Sequence, residues 1–581
     1  MSRFPLSPQR MAGMSARHPW RTIVAWVALL VVVMALSTTF GGPMTGEGSR
    51  YTTNPDSQVG WDLIDQHFGD DSGATETIVV HSDRLTVDDP AFRTVVDSTV
   101  AGLAGWQDAI ASVTNYYEVA ASGAPEADQL VSANRHSLIM PVTFNEAPDE
   151  YIERGEDFIA DAQAAATDDV QVYAVGDISG NATFGAIAEE DLSKEISIGL
   201  PVAGLVLVIV FGALLAPILP LTIGLLSIAV TSAFVMLLAN FMVVDSTSSS
   251  LVSMIGLAVG IDYALFFFAR YREERRLGAL KMDAIERAGG SAGKAVMFSG
   301  ATVILALLGL LLLPLNFFHG MGVSSALVVV VAVAAAMTLL PALLRLLGDW
   351  ANFPRFDVIR KLKRQDQTGF AEFETRIGSG LWGHLASAVM RRPVAWLVGS
   401  LAILLLCAAP VLAINIGSQE TSSLPDTDFT QGFAILATDF SAGLESPVRI
   451  VVDGDASDPA LQGLVTEFIA VLNANDAFGP VTAVVSDDNQ VTVVEAITRA
   501  DPYSADAETI VKDLRSDVIP TVFGDRADQV FITGSTADTI DFDDALLTYL
   551  PVVFAFVLGL SFLLLMVAFR SVLVPFTSIL L

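Results

Sequence analysis

The sequence predicts a polytopic α-helical membrane protein that carries two α+β domains outside the bilayer, and three observations predict it. Eight apolar runs, at 22–40, 196–216, 218–239, 248–269, 295–315, 321–346, 394–414 and 545–568, are each long enough to span. A helix rising about 1.5 Å per residue needs roughly 20 residues to cross the hydrocarbon layer. Two long stretches, 41–195 and 415–543, hold most of the 64 acidic residues and read as water-facing domains. Basic residues cluster instead at 3–21, 270–294 and 345–392. By the positive-inside rule those segments are cytoplasmic, which leaves the two acidic domains on the outer face of a multi-pass protein of the cytoplasmic (inner) membrane.

Composition agrees with this class. The 581 residues are 52% hydrophobic with a mean hydropathy of +0.55, too apolar for a soluble protein. A net charge of -32 argues against nucleic acid as a partner. The single cysteine, Cys407, lies in an apolar run, so no disulfide framework exists within the chain.

Taken in order, residues 1–21 read as a loose cytoplasmic tail with Pro5 and Pro8, and 22–40 as an uncleaved anchor without a small-residue cleavage site. The first outer domain, 41–195, has β-branched runs at 77–81, 110–116, 138–144 and 170–175, with helical patterns at 90–106 and 149–166. That order is βαββαβ, a ferredoxin-like split βαβ unit. The bundle 196–346 holds five spans, with an amphipathic cytoplasmic segment at 270–294. A charged linker, 347–393, leads to the span 394–414. The second outer domain, 415–543, repeats the pattern, with strands at 448–452, 481–485, 491–497 and 530–533 and helices at 459–473 and 505–519. The span 545–568 follows, and 571–581 reads as the start of a ninth.

The two halves align. Gly176 precedes Pro217 by 41 residues and Gly534 precedes Pro575 by the same 41. FGALLAP (211–217) lies on FRSVLVP (569–575) at an offset of 358. This is an internal duplication, an architecture common in transporters, with the site at the repeat interface. Carried forward, the offset puts a counterpart of Asp262 near position 620, so the chain is expected to be a C-terminally truncated part of a twelve-helix protein.

The most informative stretch is GLAVGIDYALFFFARYREE at 256–274. Asp262 lies eight residues before Arg270, about 12 Å inside the boundary that Arg270, Arg272, Glu273 and Glu274 mark. An ionisable group at that depth costs roughly 2.5–3.5 kcal/mol even on insertion scales, and such groups line substrate or proton paths. The competing reading is a structural carboxylate hydrogen-bonded between helices. Tyr263 can donate to the carboxylate or carry part of a relay, and Ser299 and Thr302 on the next span share one face and could bond to it. Gly256 and Gly260, four apart, allow another helix to approach closely. Arg270, Arg272, Glu273 and Glu274 read as a membrane-surface anchor. No nucleotide-binding loop, metal-spaced Cys/His cluster or nucleophile–base set stands out, so neither an enzyme nor a cofactor is expected.

These residues carry a resemblance. Gly260-Ile261-Asp262-Tyr263 with Phe266 and the 270–274 tail, the stretch SAGKAVMFSGATVILALLGLLLL (291–313), and the one-plus-five helix layout are similar to the MmpL (YdfJ-like) branch of the resistance-nodulation-division (RND) superfamily. The resemblance implies an RND-type repeat with two extracytoplasmic porter domains. It also implies export or flipping of lipids or other hydrophobic molecules driven by proton influx, with Asp262-Tyr263 facing a second such pair. The implied partners are a lipid or hydrophobic small molecule, protons and the bilayer, together with a homo-oligomer or accessory membrane proteins. A drug or solvent efflux pump with the same coupling, and a non-transporting sterol-sensing-like scaffold with a structural Asp262, are the alternatives.

Overall fold

The computed structural model describes residues 7–42, 50–68, 75–145, 151, 154–211, 213–245, 247–348, 381–410, 425–444 and 446–580. The chain divides into two units. The first comprises 1–200, 220–346 and 417–581, and the second 201–219 and 347–416.

In the first unit the chain opens with α1 (Pro8–Arg17) and α2 (Pro19–Phe40), each started by a proline at its first turn. The loose tail expected at the N-terminus is therefore helical from Pro8. Ala12 and Ala16 of α1 are fully buried, Ala12 lies over Gly289, and Arg17 reaches Glu286 at 3.0 Å. A helix this short is not stable alone; its small-residue face against another helix holds it.

The first of the two acidic segments expected on the outer face, called here the first outer segment, supplies α3 (Asp56–Phe68), β1 (Thr75–His81), α4 (Pro90–Gly102), β2 (Ile110–Val113), α5 (Tyr116–Ser122), β3 (Ser137–Phe144), α6 (Gly155–Gln163) and β4 (Gln171–Gly176). The strands form an antiparallel sheet in the order β2-β3-β1-β4. Next come α7 (Asp177–Lys194), α8 (Leu200–Phe211), α9 (Ile218–Leu238), α10 (Thr247–Arg276), α11 (Lys281–Leu307) and α12 (Asn316–Leu347). The basic 270–294 segment is helical on both sides of one turn. Its first part is the end of α10 and its second the start of α11, joined at a turn where Gly278 has φ +88°.

The second unit contains most of α8 and the helices α13 (Leu381–Arg391) and α14 (Pro393–Ala408), bent by 107° between them where Pro393 stops the first and starts the next. The expected linker and span at 347–414 lie partly outside the described residues.

Back in the first unit, the second outer segment gives α15 (Asp428–Leu436), β5 (Val448–Asp453), α16 (Pro459–Asn473), β6 (Phe478–Val485), β7 (Val491–Thr498), α17 (Ala505–Asp513) and β8 (Val530–Thr533), before α18 (Ser535–Phe569) and α19 (Leu573–Leu580). Its sheet has the order β6-β7-β5-β8, antiparallel throughout. Among the described residues six helices are long and apolar enough to cross a membrane, or seven if α13 and α14 count as one broken span.

The central strands β1 and β5 are buried on both faces, and their sequences say why: TIVV in β1 and RIVV in β5 are continuous rather than alternating runs. One face of the first sheet, with Ile78, Val80, Met140 and Val172, packs under α4 and α6 around Phe92 and Phe158. The other face, with Val79, Ile139 and Val175, is covered by Phe433 and Leu436 of α15, a helix of the second outer segment. Reciprocally, Ile64 of α3, from the first segment, covers Val451, Val491 and Val493 of the second sheet, with Trp61 and Phe68 at the edges. The two outer segments thus exchange their leading helices. Glycines allow the close seating: a Cβ at Gly432 would meet the Tyr173 Cβ at 2.7 Å, and one at Gly60 the Thr533 Cβ at 3.1 Å.

Candidate functional site

Adjacent residues on a helix point about 100° apart, so one of Asp262 and Tyr263 can face inward while the other does not. Tyr263 does: it is buried, and its ring lies over Gly300 of α11, where a Cβ would stand 3.6 Å from Cε2 and 3.7 Å from the hydroxyl oxygen. The phenol lies within reach of the Ser299 side chain. Asp262 lies on the exposed face of α10 in a stripe at i, i+4 spacing with Met254, Ala258 and Phe266. Gly256 and Gly260 sit where neighbouring helices come closest. A Cβ at Gly260 would meet the Gly224 Cα of α9 at 2.6 Å, and one at Gly256 would meet Ile228 of α9 at 2.7 Å and Val328 of α12 at 2.9 Å. Of the polar candidates, the structure brings Tyr263 and Ser299 together. The Thr302 hydroxyl instead donates to the Phe298 carbonyl at 2.9 Å, the usual back-bond of a threonine inside a helix.

The 270–274 tail does more than meet water. Arg270 binds Glu273 at 2.6 Å and Glu274 at 2.7 Å, and its Nε donates to Ser291 at 3.2 Å. The Glu274 carboxylate is buried and takes Arg287 of α11 at 3.3 Å. Glu274 therefore clamps α10 to α11 below the Asp262–Tyr263 level, while Arg272 lies over the Phe268 ring at 5.7 Å.

Sequence reasoning passed over two buried carboxylate sites. Glu76, at the start of β1, is 1% exposed and accepts from the Ile178 and Ser179 amides at 2.5 and 3.0 Å and from the Ser179 hydroxyl at 2.7 Å. It closes the first turn of α7, where free N–H groups and the helix dipole favour an anion. Burial nevertheless pushes its carboxyl up to about 7, against the pull of those hydrogen bonds. The second site joins α3 to the foot of α18. Arg515 binds Asp541 at 2.6 Å and Asp56 at 3.3 Å, Asp541 accepts from the Ser57 amide at 2.9 Å, and the Trp61 indole donates to Asp538 at 3.1 Å. Beside it lies a cavity of about 330 Å³ lined by Tyr51, Asp56, Pro314, Asp541, Asp544 and Tyr549. In the sequence Asp541 belongs to an acidic run before an apolar one, which looks like an ordinary solvated membrane boundary, so only tertiary contacts reveal its role.

A family signature, described as the MMPL family, matches residues 51–396, more than half of the chain and including the whole of α10. The chain belongs to the MMPL family. MMPL transporters are part of the RND superfamily, and the chain is similar to several of them. It is 27% identical to membrane protein YdfJ of Bacillus subtilis over 98% of this chain and 74% of that protein. It is 29% identical to the mycolic acid-containing lipids exporter MmpL11 of Mycolicibacterium smegmatis, over 98% of this chain and 58% of the exporter. Identity to the trehalose monomycolate exporter MmpL3 of Mycobacterium tuberculosis is 25%, over 96% of this chain and 61% of that protein. This member of the MMPL family thus spans well under two thirds of the lipid exporters it matches.

Proposed function

We propose that this chain belongs to a proton-driven transporter that exports or flips lipids or other hydrophobic molecules across the cytoplasmic membrane, with Asp262 and Tyr263 as half of the proton relay. The observation that carries the reading is the placement of Asp262: an ionisable carboxylate in the apolar part of a membrane-length helix, on its exposed face, beside a tyrosine packed against the next helix. Such a group can be loaded and unloaded by modest changes in its surroundings, because desolvation favours its neutral form and a hydrogen-bond donor its charged form. The names of the MmpL11 and MmpL3 relatives as lipid exporters support the substrate class.

In this reading the two βαββαβ units are ferredoxin-like porter domains on the outer face, and the cavity at the foot of α18 receives the polar end of an amphiphile. Its lining supports that, since it changes from Asp541 and Asp544 to Ala545 and Tyr549 where the apolar run of α18 begins.

The test is Asp262→Asn. Asparagine keeps shape and hydrogen-bonding capacity but cannot take up and release a proton. Transport into or out of proteoliposomes under an imposed pH gradient is expected to be abolished, with expression and monodispersity unchanged. Near-normal, gradient-dependent transport by Asp262→Asn would make the carboxylate structural and sink the mechanism.

A further inference from the structure

The swapped helices are fastened at equivalent β-turns. In the first segment the turn at 132–137 has the Ser132 hydroxyl on Asn134 at 2.7 Å and Arg135 at φ +59°. In the second, the turn at 486–491 has the Ser486 hydroxyl on Asp488 at 2.7 Å and Asn489 at φ +59°. His67, at the end of α3, meets Asp488 of the second turn at 2.7 Å. Asp439, in the π-turn Ala437–Ser441 that follows α15, meets the first turn through Asn134 at 3.4 Å and through the Ser137 hydroxyl.

The second of these joints continues into a chain of four groups. His81, at the end of β1, has Nδ1 2.7 Å from the Ser137 hydroxyl oxygen and 3.7 Å from Asp439, and Nε2 3.3 Å from Asp83. Ser137 is fully buried, and the side chains of His81 and Asp439 are only 18% and 12% exposed. Three hydrogen bonds link Asp83, His81, Ser137 and Asp439, and each needs its own hydrogen. Ser137 brings one and a neutral imidazole one, because only one of its two ring nitrogens is then a donor. With the N–H on Nδ1, a bare Nε2 faces Asp83, whose side chain is 91% exposed and can turn to water. With it on Nε2, Ser137 must donate to His81 and lets go of Asp439. The first arrangement keeps Ser137 on Asp439 without a further proton; what a further proton adds is a cation on His81, 3.7 Å from the Asp439 carboxylate, an attraction across the joint that the neutral ring lacks.

We propose that His81, Ser137 and Asp439 form a proton-binding latch that holds α15 of the second outer segment on the first sheet, closed under acidic conditions and loosened as pH rises. Imidazole is the side chain that changes charge in that range. The groups around it do not supply a competing cation. Arg84 is held by Asp169 at 2.8 Å and Arg135 by Asp88 at 2.7 Å, while His136 faces the carbonyls of Ser82 and Leu85. Across the sheet, the β4 partner of His81 is the uncharged Gln171. The latch is about 180 residues from Asp262 in sequence and stands independently of the relay reading.

The experiment uses the whole chain in nanodiscs, with Cys407→Ala and spin labels on Asp168→Cys and Ala434→Cys, exposed positions on the first domain and on α15. The interlabel distance distribution is expected to be narrow at about pH 5.5 and to broaden toward longer distances at about pH 8.5. Asp439→Asn should not respond to pH, since no carboxylate then faces His81. His81→Gln should not respond to pH, and Glu76→Gln, which removes a carboxyl pushed up to about 7 in the same domain, should keep the full response. A distribution in the labelled chain with the latch residues intact that does not change with pH would overturn the latch, and needs no substitution within it. A pH response retained by Asp439→Asn or His81→Gln, or lost in Glu76→Gln, would overturn it equally.

Discussion

Replacing Glu76 by glutamine should stabilise the first outer domain at neutral and alkaline pH, an unusual outcome for a change at a buried, fully bonded carboxylate. The carboxyl is pushed from its ordinary 4.5 up to about 7 because burial outweighs the three hydrogen bonds it accepts. A raised carboxyl means that the folded domain binds the proton more tightly than the unfolded chain. Its contribution is therefore fully present below about pH 4.5, falls as pH rises, and is lost above about pH 7. At about 1.4 kcal/mol per pH unit the whole window amounts to ~3 kcal/mol. Glutamine escapes that loss. Its carbonyl oxygen can accept from both amides, and its amide can donate to the Ser179 hydroxyl, so the residual cost is a weakened bond of ~1 kcal/mol. The net expectation is ~2 kcal/mol of added local stability near pH 8 and a shallower pH dependence between about pH 5 and 8. Hydrogen exchange of peptides covering β1 and the first turn of α7, corrected for the intrinsic pH dependence of exchange, reads this out. A glutamine variant with the same pH slope as the unsubstituted protein would show that the hydrogen bonds, not burial, govern this carboxyl.

Asp541→Ala should cost ~3–5 kcal/mol, since it leaves Arg515 largely buried with Asp56 and the Ile532 carbonyl as partners and strips the Ser57 amide of its acceptor; Asp541→Asn should cost less. Urea unfolding followed through Trp61, which packs at this joint, measures the difference, and equal effects of the two variants would place the energy in packing instead. In a Cys407→Ala background, single cysteines replacing Arg135 or Arg499 should be labelled by an impermeant reagent in intact cells, and one replacing Arg276 should not. Labelling at position 276 would invert the topology.

Much of this protein is legible in its sequence because the bilayer imposes a length and a polarity that few other constraints imitate. The 248–269 run lies within α10, and the Asp262 that interrupts it stands out because water cannot solvate it there. The strand runs at 77–81, 138–144 and 530–533 fall within β1, β3 and β8, since continuous β-branched stretches of that length have few other uses. Periodicity also reports only what a segment needs to bury. It did not separate α3 and α15 from polar lead-ins, because each is a short amphipathic helix whose partner lies in the other half of the chain.

What the sequence determined by itself is therefore the family, the apolar runs, the repeat and the carboxylate within α10. Only the tertiary structure decided which helix covers which sheet, that Tyr263 turns inward while Asp262 stays exposed, and that Glu76, Asp541 and the His81–Ser137–Asp439 chain are buried networks rather than solvated charge. The physical reason is one of range. Hydropathy and helix length act within about 20 residues of sequence, whereas the burial of a charge and the number of hydrogens it shares depend on groups more than 300 residues away, as between Ser137 and Asp439.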